Sequence, residues 1–452
     1  MSNKLNESGP SRPKRICTNR EYENRIEQMI FESESDEHFE FSDSDSDFMA
    51  EASSRVANDS DSSECSDIDV DVDDTGNIQN TPTQSWFEEE TDMPNFNFTK
   101  YNELLVPIPG DGSPIDFFFL LFDDDFINLL VDETNSYAEK EFLRIGHYPS
   151  SRISTWKPTN KDEMLTFLAL IIHTGTIKLN RLNDYWKKHH LFNITCFSNY
   201  MSRDRFLVIM RCFHFAPNID DQAQPLDRMY KVRPLIDYFN NKMNTIYYPK
   251  RELSLDESMV LWRGRLVFWQ YIQNKRHKYG IKLYMLTEPA GLVIKFAIYT
   301  GVFDDMGGQG HASKVVLHLM SEKLENGHSL YMDNFYNSFD LATSLIQKNT
   351  YCTGTLRINR KNTPVEVKQA KLKKGENIAR YSNGVVIGKW RDKREVAYIS
   401  TEFKNNLVVS TNKRGHNKTK PEPIVNYNKF MSGIDRQNQM QSYYPCTRKT
   451  IR

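Results

Sequence analysis

The sequence predicts an α/β fold in which a helical region precedes a core built around a sheet. Apolar residues recur at helix spacing between residues 100 and 250, and from residue 252 short strand-length runs alternate with helices. Three isolated aspartates, Asp256, Asp333 and Asp435, lie in or beside these ordered segments. Because an acid in such a setting needs a compensating cation, proton or partner, we treat the three as candidate site residues.

The first part of the chain differs in composition from the rest. Residues 1–92 hold 25 acidic and 7 basic side chains, a net charge of −18, which leaves +16 for residues 93–452 of a chain whose formal net charge is −2. An acidic segment of this kind repels itself and lacks apolar surface, so residues 1–95 are predicted to be disordered. The segment is either a solubilising tail or a phosphorylated or autoinhibitory one. The basic remainder suits a polyanionic partner such as nucleic acid.

Cysteine usage and the apolar runs narrow the class of protein further. The 6 cysteines are scattered without a CxxC pair, which is unlike a disulfide framework or a zinc knuckle and favours a reducing compartment. The polar start is unlike a signal peptide. The apolar run at 167–177 is too short to span a bilayer. We therefore expect a soluble intracellular protein with no membrane partner.

Periodicity predicts the elements in order. Before residue 250 the pattern predicts helices at 116–142, 161–179, 203–215 and 234–248. Periodicity alone favours a packing domain and does not indicate dimerisation or DNA contact. After residue 252 the predicted strands include Asp256 and residues 281–288, 293–301, 329–333 and 351–357, and the predicted helices are 313–327 and 338–349.

The order strand, strand, strand, helix, strand, helix, strand is that of an RNase H-like core. It places Asp256 on the first strand and Asp333 at the end of the fourth. Residues 360–425 interrupt this order with basic and β-type runs, and a predicted helix at 426–442 carries Asp435. Carboxylates from separate elements suit a site for two Mg²⁺ (or Mn²⁺) ions, because hard cations need several converging oxygen ligands. Taken singly, each aspartate is better explained as a cap, a turn or a salt-bridge residue, and only their order and spacing together favour the metal site.

Basic and aromatic residues interleave near Asp256 and again further along the chain. Two interpretations are open for the basic residues near Asp256: contacts with DNA phosphates, or a charged outer face of the sheet. Trp390 either stacks on an unpaired base or lies in the core. The candidate DNA-binding residues are Arg263, Arg265, Lys275, Arg276, Lys278, Lys282 and Trp390.

Six motifs together resemble the piggyBac transposase family and its transposon-derived proteins, and they occur in the family's order. The similarity runs from about residue 100 to the last residue. The motifs are LSLDESMVLWRGR (253–265), YIQNKRHKYGIK (271–282), LYMDNFYNS (330–338), TGTLR (353–357), NYNKFMSGIDRQNQM (426–440) and CTRKT (446–450).

The resemblance implies a DDE-type transposase with Asp256, Asp333 and Asp435 as catalytic, metal-binding residues. The implied activity is nicking at transposon ends, hairpin formation and insertion at TTAA sites in double-stranded DNA, by a homodimer in the nucleus. The implied domains are a helical dimerisation and DNA-binding domain at 96–251, the first part of an RNase H-like core at 252–359, an insertion at 360–425, and the last catalytic helix with the start of a truncated helical segment at 426–452.

Two departures from the family pattern leave the enzymatic activity open. The family's last motif reads GGVDxxDQ, whereas this chain has Asn438 in place of the second acid, so a neutral oxygen ligand replaces a charged one. The chain also ends at Arg452, where the family continues into further helices and a cysteine-rich module. The alternatives are an active transposase and a domesticated, catalytically weak or inactive DNA-binding protein derived from one. The order of the six motifs argues against incidental aspartates in a structural protein.

Overall fold

The computed structural model describes most of the chain after residue 84. None of the helices in that described part combines the length and the apolar character needed to cross a membrane. Five of the predicted DNA-contact residues, Arg263, Arg265, Lys275, Arg276 and Lys278, lie outside it. The described residues are 85–89, 93–108, 110–145, 151–217, 227–262, 266, 268, 270–271, 279–301, 304, 306–411, 415 and 417–446.

The helical region predicted before residue 250 is confirmed. A short strand pair closes it, β1 (Glu103–Leu104) against β2 (Tyr247–Tyr248). Buried aromatic side chains, including Phe126, Phe167 and Phe206, fill the space between the helices. The helices are α1 (Pro114–Leu121), α2 (Asp124–Ile145), α3 (Lys161–Thr176), α4 (Thr195–Tyr200), α5 (Arg203–Cys212) and α6 (Arg233–Ile246), with 3₁₀ turns at Arg152–Thr155 and Leu182–Trp186.

One long helix predicted at 116–142 is in fact two helices. Phe122 leaves helical geometry, and the Asp123 carboxylate accepts a hydrogen bond from the backbone N–H of Phe126 at 3.0 Å. That bond caps the start of α2, and Lys242 and Tyr238 of α6 bond the same carboxylate. A local cap therefore overrides the helical periodicity at this point.

The core that follows is a mixed sheet flanked by helices. The turn Pro289-Ala290-Gly291 joins β5 and β6 as the predicted hairpin, with Leu283 opposite Ile298. The elements are β3 (Glu252–Leu261), β4 (Gln270–Tyr271), β5 (Tyr279–Thr287), β6 (Val293–Ile298), α7 (His311–Met320), β7 (Ser329–Met332), α8 (Phe339–Ile346) and β8 (Tyr351–Thr355).

The neighbours in this sheet run β6, β5, β3, β7, β8. The pairs β3–β5 and β5–β6 are antiparallel, and β3–β7 and β7–β8 are parallel. One face of the sheet packs on α7 and α8 through a core that includes Leu253, Leu255, Val315, Leu319 and Leu345. Alternate residues along β3 therefore face either this core or the opposite side of the sheet.

The predicted insertion at 360–425 adds strands to this same sheet. After α9 (Val365–Gln369) come β9 (Asn377–Ser382), β10 (Val385–Arg391) and β11 (Glu395–Ser400), which form an antiparallel meander. β11 pairs with β8, with Ile399 opposite Gly354. With β4, which pairs with β5, the sheet thus reaches nine strands within the described residues. A separate two-stranded ribbon, β12 (Leu407–Thr411) with β13 (Asn417–Pro421), follows.

The helix predicted at 426–442 is divided in the same way as the first one. The structure has α10 (Glu422–Phe430) and α11 (Gly433–Tyr443), with a break at Met431 and Ser432. Asp435 therefore lies in the first turn of α11 rather than inside a longer helix.

Part of the stretch predicted to be disordered, residues 1–95, lies against the sheet. Phe87 and Tyr381 exchange two backbone hydrogen bonds at 2.9 Å, and the Trp86 ring contacts that of Phe339 edge-on. The backbone N–H of Phe96 donates to the Tyr351 hydroxyl at 2.5 Å. A boundary at residue 95 is therefore too late, because the apolar residues 86 and 87 were counted with the acidic segment around them.

Candidate active site

Asp256 and Asp333 lie side by side on neighbouring parallel strands. Leu255 of β3 pairs with Met332 of β7; Asp256 is the next residue of β3, and Asp333 is the first residue after β7. The Asp256 carboxylate accepts from the N–H of Glu257 at 2.7 Å, and that of Asp333 accepts from the N–H of Phe335 at 3.0 Å. Two acids that are far apart in sequence thus converge, as sequence analysis predicted.

The third carboxylate at this point is Glu257, which sequence analysis did not identify. One oxygen each of Asp256, Glu257 and Asp333 lies within 4.8 Å of the other two. Glu257 is 8 % exposed, and the two aspartates are half-buried. Because consecutive strand residues point to opposite faces, an acid directly after Asp256 is not expected to share its site. The available signal was the Asp-Glu pair within an otherwise apolar strand.

The strand β5, which pairs with β3, carries a buried lysine. Lys282 Nζ lies 3.8 Å from Glu257 Oε1 and within 4.8 to 5.7 Å of the ring centroids of Tyr284, Tyr299 and Phe335. Lys282 is only 8 % exposed. Its predicted role as a DNA contact is therefore wrong, because its ammonium group faces the interior of the protein and Glu257.

Tyr336, in the loop after β7, is a buried residue near the same carboxylates. The side chain is 1 % exposed, and its hydroxyl has no hydrogen-bond partner among the described residues. Burial raises the pKa of the Tyr336 phenol well above its usual value, and the nearby charges of Glu257, Asp256 and Asp333 raise it further. Tyr336 is thus a neutral donor placed among three acids.

Asn337 fixes the turn that carries Asp333. Its buried amide Nδ2 donates to the carbonyl oxygens of Met332, Asp333 and Thr355 at 2.9, 3.1 and 3.0 Å. Gly354 of β8 makes this close approach possible, since a β-carbon there would collide with the Met332 carbonyl and the Asn337 amide. The motifs LYMDNFYNS and TGTLR thus meet at the backbone next to Asp333.

The helix α11 lies along the strand that carries Asp256. A β-carbon at Gly433 would collide with the hydroxyls of Thr287 and Ser254, and the Ser258 hydroxyl donates to Asn438 Oδ1 at 2.6 Å. Ser254 and Ser258 are two residues before and two residues after Asp256, on the same face of β3. Asp435 lies between the two contacts on α11. It is exposed, and it is not one of the three acids within 4.8 Å of one another.

Trp390 belongs to the core and not to an open surface. It is 6 % exposed and packs with Tyr398 and Ile424. Stacking on an unpaired base needs an accessible ring face, so the prediction of a DNA contact at Trp390 is wrong. The alternative of a core tryptophan is the correct one.

The described carboxylates form an oxygen-rich cluster that can hold divalent cations. Three negative charges within 4.8 Å repel one another unless a cation or a shared proton offsets them. Carboxylate oxygens are the ligands that Mg²⁺ and Mn²⁺ accept, and the paired strands β3 and β7, with the turn that Asn337 fixes, bring them close together.

Three comparisons with known proteins agree on the family. The family described as Transposase IS4 matches residues 113–452. The human PiggyBac transposable element-derived protein 3 is 26 % identical over 343 residues, covering 72 % of this chain and 55 % of the relative. The human PiggyBac transposable element-derived protein 2 is 26 % identical over 359 residues, covering 74 % and 56 %. The chain therefore spans about half the length of these curated relatives.

A solved structure shares the fold as well as part of the sequence. It is the cryo-EM structure of a piggyBac transposase synaptic complex with hairpin DNA. The TM-score is 0.66 at 25 % identity, and the match covers 78 % of this chain and 73 % of the other. The mixed α/β arrangement with one mixed sheet is thus shared with a piggyBac transposase.

Proposed function

This chain belongs to the Transposase IS4 family and is a piggyBac-like member of it, and from this premise we propose that it cleaves and joins DNA strands by metal-dependent phosphoryl transfer. The observation that carries the proposal is the convergence of the Asp256 and Asp333 carboxylates, one within β3 and the other directly after the neighbouring parallel strand β7. The proposed reaction is that of a DDE transposase acting at transposon ends and TTAA targets.

The strand order supports an RNase H-like core. In such a core the antiparallel first three strands lie beside two parallel ones, in the spatial order third, second, first, fourth, fifth. The neighbours β6, β5, β3, β7 and β8 follow this order. We propose residues 252–359 as its first part, with α11 as the last catalytic helix.

The donor set fits Mg²⁺ or Mn²⁺, which DDE transposases use. Asp256, Asp333 and Asp435 would hold these ions, with Asn438 at the edge of the site. When bound, the ions lower the cost of forming the attacking oxyanion and stabilise the leaving oxygen of an in-line displacement. Asn337 keeps Asp333 in place, and the contacts at Gly433 and Asn438 hold α11 against β3 beside Asp256.

Double-stranded DNA is the proposed partner. The solved relative is a transposase complex with hairpin DNA, and residues 93–452 carry a net charge of +16. A basic surface favours a polyanion through counterion release. Action on chromosomal DNA places the protein in the nucleus, and synapsis of two transposon ends favours a homodimer formed through the helical region at 96–251.

A second candidate function is DNA binding without efficient cleavage. Asn438 Oδ1 accepts a hydrogen bond from Ser258, so this side chain anchors α11 to β3. An acid at this position would add a negative charge beside Asp435, and the amide does not. This favours a weaker metal site in a protein derived from a transposase that keeps its fold and its DNA partner.

Cleavage of labelled candidate transposon ends tests the proposal. We expect Mg²⁺- or Mn²⁺-dependent cutting by the full chain and a loss of at least about 100-fold in Asp256→Asn, because the substitution removes a charged metal ligand. Equal cutting by both proteins would show that the assigned site is wrong. Salt-sensitive DNA binding without cutting by either protein would favour the second candidate.

A further inference from the structure

We propose that Glu257 is an additional metal-facing carboxylate of this site, beside the buried Lys282 of β5 and the buried Tyr336 of the loop after β7. The inference rests on the proposed function, because it concerns the same divalent cation. It assigns to Glu257 a direct contact with the metal, in addition to the ligands Asp256, Asp333 and Asp435.

The distances place Glu257 in the cluster. Its carboxylate has an oxygen within 4.8 Å of oxygens of both Asp256 and Asp333. Two ligands bound to one cation at 2.0 to 2.6 Å lie at most about 5 Å apart, so the three oxygens can share an ion. The Asp435 carboxylate is outside this group in the described structure.

Lys282 lies near Glu257 without forming a close ion pair with it. Lys282 Nζ lies 3.8 Å from Glu257 Oε1, beyond the range of a good N–H···O bond. By contrast, the half-buried pair of Arg251 and Glu402 is in contact at 2.5 Å. The Lys282 ammonium instead lies among the rings of Tyr284 and Phe335. Lys282 thus acts on the Glu257 charge at a distance and does not bond its carboxylate directly.

Tyr336 supplies an independent observation. Its hydroxyl is buried, lacks a hydrogen-bond partner among the described residues, and lies close enough to Glu257, Asp256 and Asp333 to respond to their charges. A buried donor without an acceptor is costly unless another state of the protein supplies one. A carboxylate that turns when it binds a metal is such an acceptor, and Glu257 has the largest charge effect of the three acids on Tyr336.

Mn²⁺ binding to the full chain, measured from the electron paramagnetic resonance signal of free Mn²⁺, tests the inference without requiring turnover. We expect Glu257→Gln to weaken Mn²⁺ binding by about tenfold or more. Glu163→Gln is the matched control, because it removes a carboxylate from a half-buried Glu–Arg pair in the helical region. The control should bind Mn²⁺ like the wild type.

Loss of the Glu257 charge also leaves Lys282 buried beside a neutral side chain, so a second variant is needed. In Glu257→Gln with Lys282→Met, both charges are removed together. We expect Mn²⁺ affinity to stay low in this double variant, because the ligand is still missing. Recovery of wild-type affinity would overturn the inference and leave Glu257 as the counterion of Lys282.

Asp256→Asn separates failure of the inference from failure of the proposed function. If Asp256→Asn weakens Mn²⁺ binding while Glu257→Gln binds normally, Glu257 is not a ligand and the proposed site stands. If both variants bind Mn²⁺ like the wild type, the metal site itself is wrongly assigned, and the inference falls with it.

Discussion

At the scale of single residues, the site depends on a neutral amide as much as on its acids. Asn337 donates to three carbonyl oxygens from one Nδ2 atom and is 1 % exposed. The three acceptors belong to β7, to the residue after it and to β8, so the amide joins two parallel strands at the point where Asp333 leaves the sheet.

Asn337→Ala should therefore lower both stability and metal affinity. The substitution removes the side-chain donor that three carbonyl oxygens share, which we expect to reduce the free energy of unfolding by about 2 kcal/mol. Urea unfolding followed by fluorescence measures this. Asn326→Ala is the control, since its half-buried amide donates to one carbonyl, and a smaller loss is expected. An equal loss in both variants would contradict the role given to Asn337.

The residues of the site were predictable to different degrees for physical reasons. Asp256 and Asp333 stand out because each interrupts or ends an apolar strand, and β7 follows β3 in a register that brings them together. Glu257 was missed because strand alternation assigns it to the other face. Lys282 and Trp390 were misassigned because charge and ring chemistry do not reveal burial, which depends on strands distant in sequence.

At the scale of elements, the docking of α11 on β3 determines where Asp435 lies. The approach is close at Gly433, where no side chain fits between the helix and the hydroxyls of Ser254 and Thr287. It continues at Asn438 through its bond with Ser258. These two contacts therefore hold the first turn of α11 beside Asp256 on β3.

Gly433→Ala should displace the start of α11 and disturb the site. Overpacking of this kind typically costs about 1–3 kcal/mol, and we expect weaker metal binding because Asp435 moves with the helix. Thermal unfolding and Mn²⁺ titration measure the two effects. Gln441→Ala, on an exposed position of the same helix, should change neither. Wild-type metal affinity in Gly433→Ala would show that the docking of α11 does not matter to the site.

His328 links the beginning of β7 to the elements around it. Its Nε2 lies 3.2 Å from the Tyr248 hydroxyl, its Nδ1 lies 3.0 Å from the carbonyl oxygen of Arg251, and its ring contacts Phe98 edge-on. Burial lowers the pKa of His328 from its ordinary value of 6.5 to about 4, and the charge of Lys323 also lowers it. The fold thus holds the neutral imidazole.

This shift predicts a loss of stability in weak acid. Above pH 6.5 the imidazole is neutral in both the folded and the unfolded protein, so His328 does not lower the free energy of unfolding. As the pH falls from 6.5 toward 4, the unfolded chain binds a proton at His328 and the folded protein does not, so the free energy of unfolding decreases. Near pH 4 the free energy of unfolding is lower by about 3 kcal/mol. Urea unfolding between pH 7 and 4.5 should show a smaller pH dependence in His328→Gln than in the wild type. Identical pH profiles for His328→Gln and the wild type would show that His328 does not cause the loss of stability.

Elements were easier to predict than their ends and partners. The strands β5, β6, β7 and β8 lie where apolar runs and turn residues placed them. The breaks at Asp123 and at Met431 depend on caps and tertiary contacts, which periodicity does not record. The pairing of β11 with β8 joins residues some 45 positions apart, and nothing local to either strand specifies it.

At the scale of the whole molecule, charge is divided between two parts of opposite sign. Residues 1–92 carry −18 and residues 93–452 carry +16. An acidic segment tethered to a basic protein repels DNA or competes with it, and both effects weaken with added salt.

Removal of residues 1–84 should tighten DNA binding. We expect a gain of roughly threefold to tenfold in affinity at about 50 mM salt, and a gain that disappears toward high salt as screening increases. Fluorescence anisotropy with a labelled duplex measures both quantities. A variant of the full chain with the acidic residues of 33–47 changed to their amides should behave like the deletion. Unchanged affinity in both proteins would leave a purely solubilising role for the tail.

The central claim is that Asp256 binds the metal ion that supports DNA cleavage, and a change of metal preference tests it most directly. Mg²⁺ binds almost only oxygen ligands, whereas Mn²⁺ accepts sulfur more readily. We predict that Asp256→Cys cuts transposon ends at least about 100-fold more slowly than the wild type in Mg²⁺ and recovers part of that rate in Mn²⁺. Cleavage by Asp256→Cys in Mg²⁺ at the wild-type rate would contradict the claim.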